Sequence, residues 1–74
     1  MSELELLTKS WQEQNIEVVK LESKGDKHLF QTSHWYEYKW NYYRDSPVFQ
    51  VFNKGKRILV TESYRLAYSK WASI

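Results

Sequence analysis

Trp35-Tyr-Glu-Tyr-Lys-Trp-Asn-Tyr-Tyr43 packs six aromatic residues into nine positions. On a strand, Tyr36, Tyr38, Trp40 and Tyr42 would share one face, and Trp35, Glu37, Lys39, Asn41 and Tyr43 the other. One face is then wholly aromatic and the other is charged in its middle, the pattern of a half-buried sheet strand. An extended mid-chain segment of this kind makes a sheet the expected centre of the fold.

Downstream, Arg44-Asp-Ser-Pro47 ends the strand, because Pro47 lacks an N–H and Asp45 can bond its own following backbone. Val48-Phe-Gln-Val-Phe52 and Arg57-Ile-Leu-Val-Thr61 then bracket Asn53-Lys-Gly-Lys56, the clearest hairpin signal in the chain. Upstream, His28-Leu-Phe-Gln-Thr32 reads as a short strand. It is joined by the loop Ser23-Lys-Gly-Asp-Lys27, with Gly25 free to take positive φ, to the β-branched stretch Ile16–Glu22. Residues 16–22 are taken as a strand, although Leu4, Leu7, Trp11, Val18 and Leu21 would also fit one long helix.

Helices are expected at both ends. Ser2 followed by Glu5 has capping-box spacing, and Leu4, Leu7 and Trp11 recur at helical intervals up to a stop near Gln14-Asn15. At the other end, Thr61 or Ser63 caps a helix whose apolar stripe is Tyr64, Ala67, Trp71 and Ile74, supplemented by Tyr68, with Arg65 and Lys70 outward. The expected fold is α+β, a small antiparallel meander of three to five strands with both terminal helices on one face, residues 1–74 forming one domain.

With 74 residues there is room for one core, and thirteen aromatic residues fill it with few torsions to freeze. The absence of cysteine removes disulfides, thiolate metal sites and cysteine nucleophiles. The start of the chain is acidic where a secretory leader would be basic, and no apolar run approaches the roughly 18 residues of a membrane span. A soluble, cytoplasmic protein is the expectation.

Charge is uneven along the chain. Residues 1–38 carry four lysines against seven carboxylates, net −3, and residues 39–74 carry seven cations against two carboxylates, net +5. A basic half favours a polyanion or an acidic protein surface as partner.

No spacing marks an enzyme. His28 and His34 would lie roughly 20 Å apart on one strand, too far for a shared metal, and Ser33, His34 and Glu37 do not specify a nucleophile held beside a base. Gly25 and Gly55 are the only glycines, so no phosphate-cradling loop exists. No catalytic residue, cofactor, metal, membrane or small-molecule substrate is expected.

The element order is similar to that of the double-stranded-RNA-binding domain. That family's second helix opens with Lys-Lys-x-Ala, whereas Thr61-Glu-Ser-Tyr-Arg-Leu-Ala67 stands here, so the likeness stops at element order. The candidate binding residues are Trp35, Lys39, Asn41, Tyr43 and Arg44 on the outer strand face and beyond it, with Lys54, Lys56 and Arg57 on the hairpin. Cations beside exposed rings suit a nucleic acid. The alternative is a protein partner or a second copy of the chain, anchored by Trp and Tyr.

Overall fold

Both hairpin signals become hairpins, and the sheet grows from them. The computed structural model describes residues 2–33, 35–37, 42–44 and 47–74, with side chains described outside 34–46. Its elements in chain order are α1 (Glu3–Glu13), β1 (Val18–Lys24), β2 (Lys27–Thr32), β3 (Trp35–Glu37), β4 (Tyr42–Arg44), β5 (Val48–Asn53), β6 (Lys56–Thr61) and α2 (Tyr64–Ser73). Strands β1, β2, β5 and β6 form one antiparallel sheet in that order, and β3 and β4 pair only with each other.

The start and stop of α1 follow from its sequence. Ser2 Oγ accepts the Glu5 N–H at 3.2 Å, filling one of the unpaired donors of the first turn. At the far end Asn15 takes φ +57°, the Asn15 N–H donates to Gln12 O, and the Ile16 N–H donates to Trp11 O. This is a Schellman stop, completed by its usual apolar contact, here between Ile16 and Trp11. The reversal sends residues 18–24 back as a strand and removes the long-helix alternative.

Helix α2 is capped by Ser63, whose hydroxyl accepts the Leu66 N–H at 3.3 Å. Of its expected stripe, Ala67 and Trp71 are buried, while Tyr64, Tyr68 and Ile74 remain exposed.

The helices do not share a face. Trp11 and Ile16 pack on Phe30 and Phe52, whereas Ala67 and Trp71 pack on Leu29 and Val51. Phe30 and Leu29 are neighbours on β2, as are Phe52 and Val51 on β5, so these pairs point to opposite sides of the sheet. The expected single helical layer is therefore corrected to one helix on each side. The cause is that β2 and β5 carry large apolar residues at consecutive positions, which a sheet covered on one side would leave in water.

A second correction concerns the aromatic run. Trp35 lies opposite Arg44, Tyr36 opposite Tyr43 and Glu37 opposite Tyr42, so the chain reverses between 37 and 42. The segment is a two-stranded ribbon inserted between β2 and β5, not one strand, and Tyr36 and Tyr42 do not stand on a common strand face. Tyr38, Lys39, Trp40 and Asn41 lie outside the described residues.

Both outer strands of the main sheet contain an extra residue. Leu21 falls between the Lys20–Phe30 and Glu22–Leu29 pairs, and Ile58 between Leu59–Val51 and Arg57–Phe52. Each insertion is a β-bulge.

Packing, more than capping, holds α1. Its N-cap is worth about 1 kcal/mol, whereas truncating a buried Trp such as Trp11 costs about 3–5 kcal/mol. Trp11 meets Phe30 and Phe52 edge-on at 6.2 and 6.1 Å between ring centroids. The start of the helix rests on the β5–β6 turn, where the Leu4 N–H donates to Gly55 O at 2.9 Å.

A Cβ at Gly55, which has φ +80°, would lie 2.7 Å from Ser2 Cβ, while one at Gly25, φ +60°, would meet nothing within 4 Å. Gly25→Ala is therefore expected to cost only the left-handed backbone penalty of about 1–2 kcal/mol. Gly55→Ala should cost more, because the start of α1 must also shift. Urea unfolding of the two variants measures the difference, and equal losses would show that α1 is not seated on the turn.

Candidate nucleic-acid interface

Two tight turns lie side by side at one end of the main sheet. In the β5–β6 turn, Lys54 and Gly55 both have positive φ, 52° and 80°, the mirror-image geometry that matches the twist of a two-residue hairpin. The β1–β2 turn uses Gly25 and Asp26 in the same place. The Lys54 N–H donates to Asp26 O at 3.0 Å and ties the two turns together.

Register then lines up the residues flanking the turns. Lys24 pairs with Lys27, Lys27 with Asn53 and Asn53 with Lys56, so lysines occupy three of the four closing positions and Lys54 adds a fourth on the turn. Lys24, Lys54 and Lys56 are exposed. Asp26 is the acid within the two turns, and Glu3 stands close by at the start of α1.

Lys27 has a different task. Its Nζ donates to Trp71 O and Ile74 O, each at 3.0 Å, and lies 4.6 Å from the centre of the Trp71 ring. A cation at the negative end of a helix satisfies carbonyls with no partner of their own, and here it fastens α2 to the lysine-bearing end of the sheet. Sequence offers no sign of this bond, because its partners are 44 and 47 residues away.

Arg57 is half-buried and turned toward the α1 side. Its backbone N–H donates to Glu3 Oε1 at 2.7 Å and its Nη1 reaches Gln50 Oε1 at 3.5 Å. Gln50 in turn donates through Nε2 to Thr32 Oγ1 at 3.2 Å, both residues being fully buried. Such a chain meets the rule that polar groups inside a protein need partners.

The candidate residues fall into separate places. Lys54 and Lys56 belong to the exposed turn cluster, with Arg57 adjoining it. Trp35, Tyr43 and Arg44 belong to the ribbon, which leaves after Thr32 and returns before Val48, at the opposite end of β2 and β5. Six-residue strands separate those two ends by about 20 Å. Lys39 and Asn41 lie outside the described residues, and the ring-and-cation face expected from 35–43 required a continuous strand that the reversal removes. Lys24 was missed by sequence reasoning, although its place beside Gly25 is the same signal that marks Lys54 beside Gly55.

His28 sits on the α1 side, opposite Ser23 and Phe52 in register, with its Nδ1 2.8 Å from Ser23 Oγ. Burial lowers its pKa, the positive charge of Lys20 lowers it further, and Asp26 opposes both. His34 lies outside the described residues. Among the described residues no three metal-ligating side chains assemble, and no helix is long and apolar enough to cross a membrane.

No family model matches the chain, and neither a curated protein nor a solved structure does.

A histidine whose folded pKa is depressed binds fewer protons than in the unfolded chain just below its ordinary value of about 6.5. Stability should therefore rise with pH through that interval and fall as His28 is forced to charge. His28→Gln, which keeps a hydrogen-bonding group beside Ser23, should flatten the rise. Thermal melts between about pH 5 and 8 test this, and parallel profiles for the two proteins would remove His28 as the cause.

Proposed function

We propose that the chain is a small non-enzymatic binding module that holds a nucleic acid through its lysine-bearing turns. The observation that supports this is the exposure of Lys24, Lys54 and Lys56 on two turns bound to each other by the Lys54–Asp26 hydrogen bond. Turns fixed in this way hold their cations at set separations, so several phosphates can be met without ordering a loop on binding. Each phosphate neutralised releases a counterion, which makes the affinity fall as salt rises. The reading carries with it the cytoplasmic location expected from the sequence.

Exposed lysines at hairpin ends also serve solubility, and the salt dependence separates the two roles. Replacing Lys24, Lys54 and Lys56 together by Ala should leave the fold intact, since none of the three is buried. The slope of log affinity against log salt should drop by about 2 if all three meet phosphates of a single strand, each contributing about 0.7. Fluorescence anisotropy with labelled oligonucleotides over a salt series measures it. Absence of binding by the natural protein at low salt, or an unchanged slope in the variant, would end this reading.

A protein partner is the second reading, favoured by Leu66, 60% exposed on the outer side of α2, with Ile74 also exposed. Its homodimer form requires self-association in sedimentation experiments. A monomer at high concentration rules that form out.

A further inference from the structure

Helix α2 meets the sheet through Ala67 and Trp71, yet its tyrosines stay largely in water, Tyr64 at 47% and Tyr68 at 42% exposure. They are nevertheless held in place. Tyr64 packs edge-on against Phe49 at 5.5 Å and lies 6.0 Å from Tyr68 at a tilt of 34°, and Tyr68 lies 5.8 Å from Trp71 at 41°. The buried rings of Trp71 and half-buried Phe49 thus steady the two tyrosines while leaving much of their surface free.

The row does not end at Trp71, because Lys27 Nζ sits over that ring and belongs to the turn cluster. Aromatic rings therefore run along α2 from Tyr64 to Trp71, about 10 Å of helix axis, and lead to the end of the sheet that carries Lys24, Lys54 and Lys56. Beside them lies an open depression of about 640 Å³ lined by Tyr64, Arg65, Tyr68, Ser69, Ala72 and Ser73. Helix α2 contains Arg65 and Lys70 and no acid; Glu62 precedes it, and the exposed carboxylates Glu3, Glu5 and Glu13 are on α1, across the sheet.

We infer that the nucleic acid is single-stranded, with bases lying against Tyr68 and Tyr64 and phosphates reaching Arg65 and the turn lysines. This rests on the polyanion reading above and narrows it. In a duplex the base faces are already stacked on one another, so exposed tyrosines gain little from it, whereas an unpaired strand offers a face at every base. At a stacked rise of about 3.4 Å, the row accommodates about three nucleotides. The positive character of α2 matches such a strand, and the anchored rings lose little freedom when a base covers them.

The test uses a labelled twelve-nucleotide oligo(dT) and its duplex with oligo(dA), both by anisotropy at low salt. The natural chain should bind the single strand at least tenfold more tightly than the duplex. Tyr68→Ala should weaken single-strand binding by about 5- to 150-fold, the effect of losing one stacked base, while leaving the salt slope and duplex binding unchanged. Tyr68→Phe, which keeps the ring, should restore it.

A measurement on the natural chain guards against a folding defect in the variant. Photo-crosslinking with 5-iodouracil-substituted oligo(dT), mapped by mass spectrometry, should mark Tyr64 or Tyr68. Equal affinity for strand and duplex, no loss in Tyr68→Ala, or crosslinks that miss α2 would each overturn the inference while leaving the polyanion reading standing. Failure of both oligonucleotides to bind would overturn the polyanion reading itself. Self-association abolished by Tyr64→Ala with Tyr68→Ala would assign the row to a second copy and overturn the inference as well.

Discussion

Strands β2 and β5 are apolar on both sides, and the rest of the molecule answers to that constraint. Leu29 and Val51 look to one side of the sheet and Phe30 and Phe52 to the other. Each such side chain gains about 1.5–3 kcal/mol on leaving water, so neither side can be left bare. One helix from each end of the chain supplies the two covers. Neither helix is long enough to persist alone, at 11 and 10 residues, so each depends on the sheet that it shields.

What could be read from the sequence was local in origin. The caps at Ser2 and Ser63, the stop at Asn15 and the two glycine-bearing turns depend on residues within a few positions of one another, and all stand as expected. The ribbon was not legible, because side chains alternate with the same period before and after a reversal, and no glycine or proline stands between 37 and 42. Two-sided burial has a legible sign in the adjacent pairs Leu29-Phe30 and Val51-Phe52, since a strand with one wet side alternates. Tyr64, Tyr68 and Ile74 show the converse limit. Helical spacing places them near the stripe, but the sheet covers only the centre of that stripe, at Ala67 and Trp71.

The layering also sorts charge. Helix α1, with exposed Glu3, Glu5 and Glu13, covers one side of the sheet; α2, with Arg65 and Lys70, covers the other. With Lys9 counted, α1 carries a net charge of −2 and α2 one of +2, so the helices on the two sides of the sheet differ in sign. Lys54 and Lys56 were legible because glycine beside lysine marks a hairpin end, a sign that Lys24 also carries; their union with the rings of α2 was not, since it passes through the bond from Lys27 to the end of that helix.

The extra residues at Leu21 and Ile58 have a further effect. A sheet that ends in regular strands offers neighbours two templates for endless growth into fibrils. In this protein each border is broken by a single inserted residue, which coils the margin and puts its donors and acceptors out of step with an incoming chain. The borders of this ring-rich sheet are thereby poorer templates for an incoming strand.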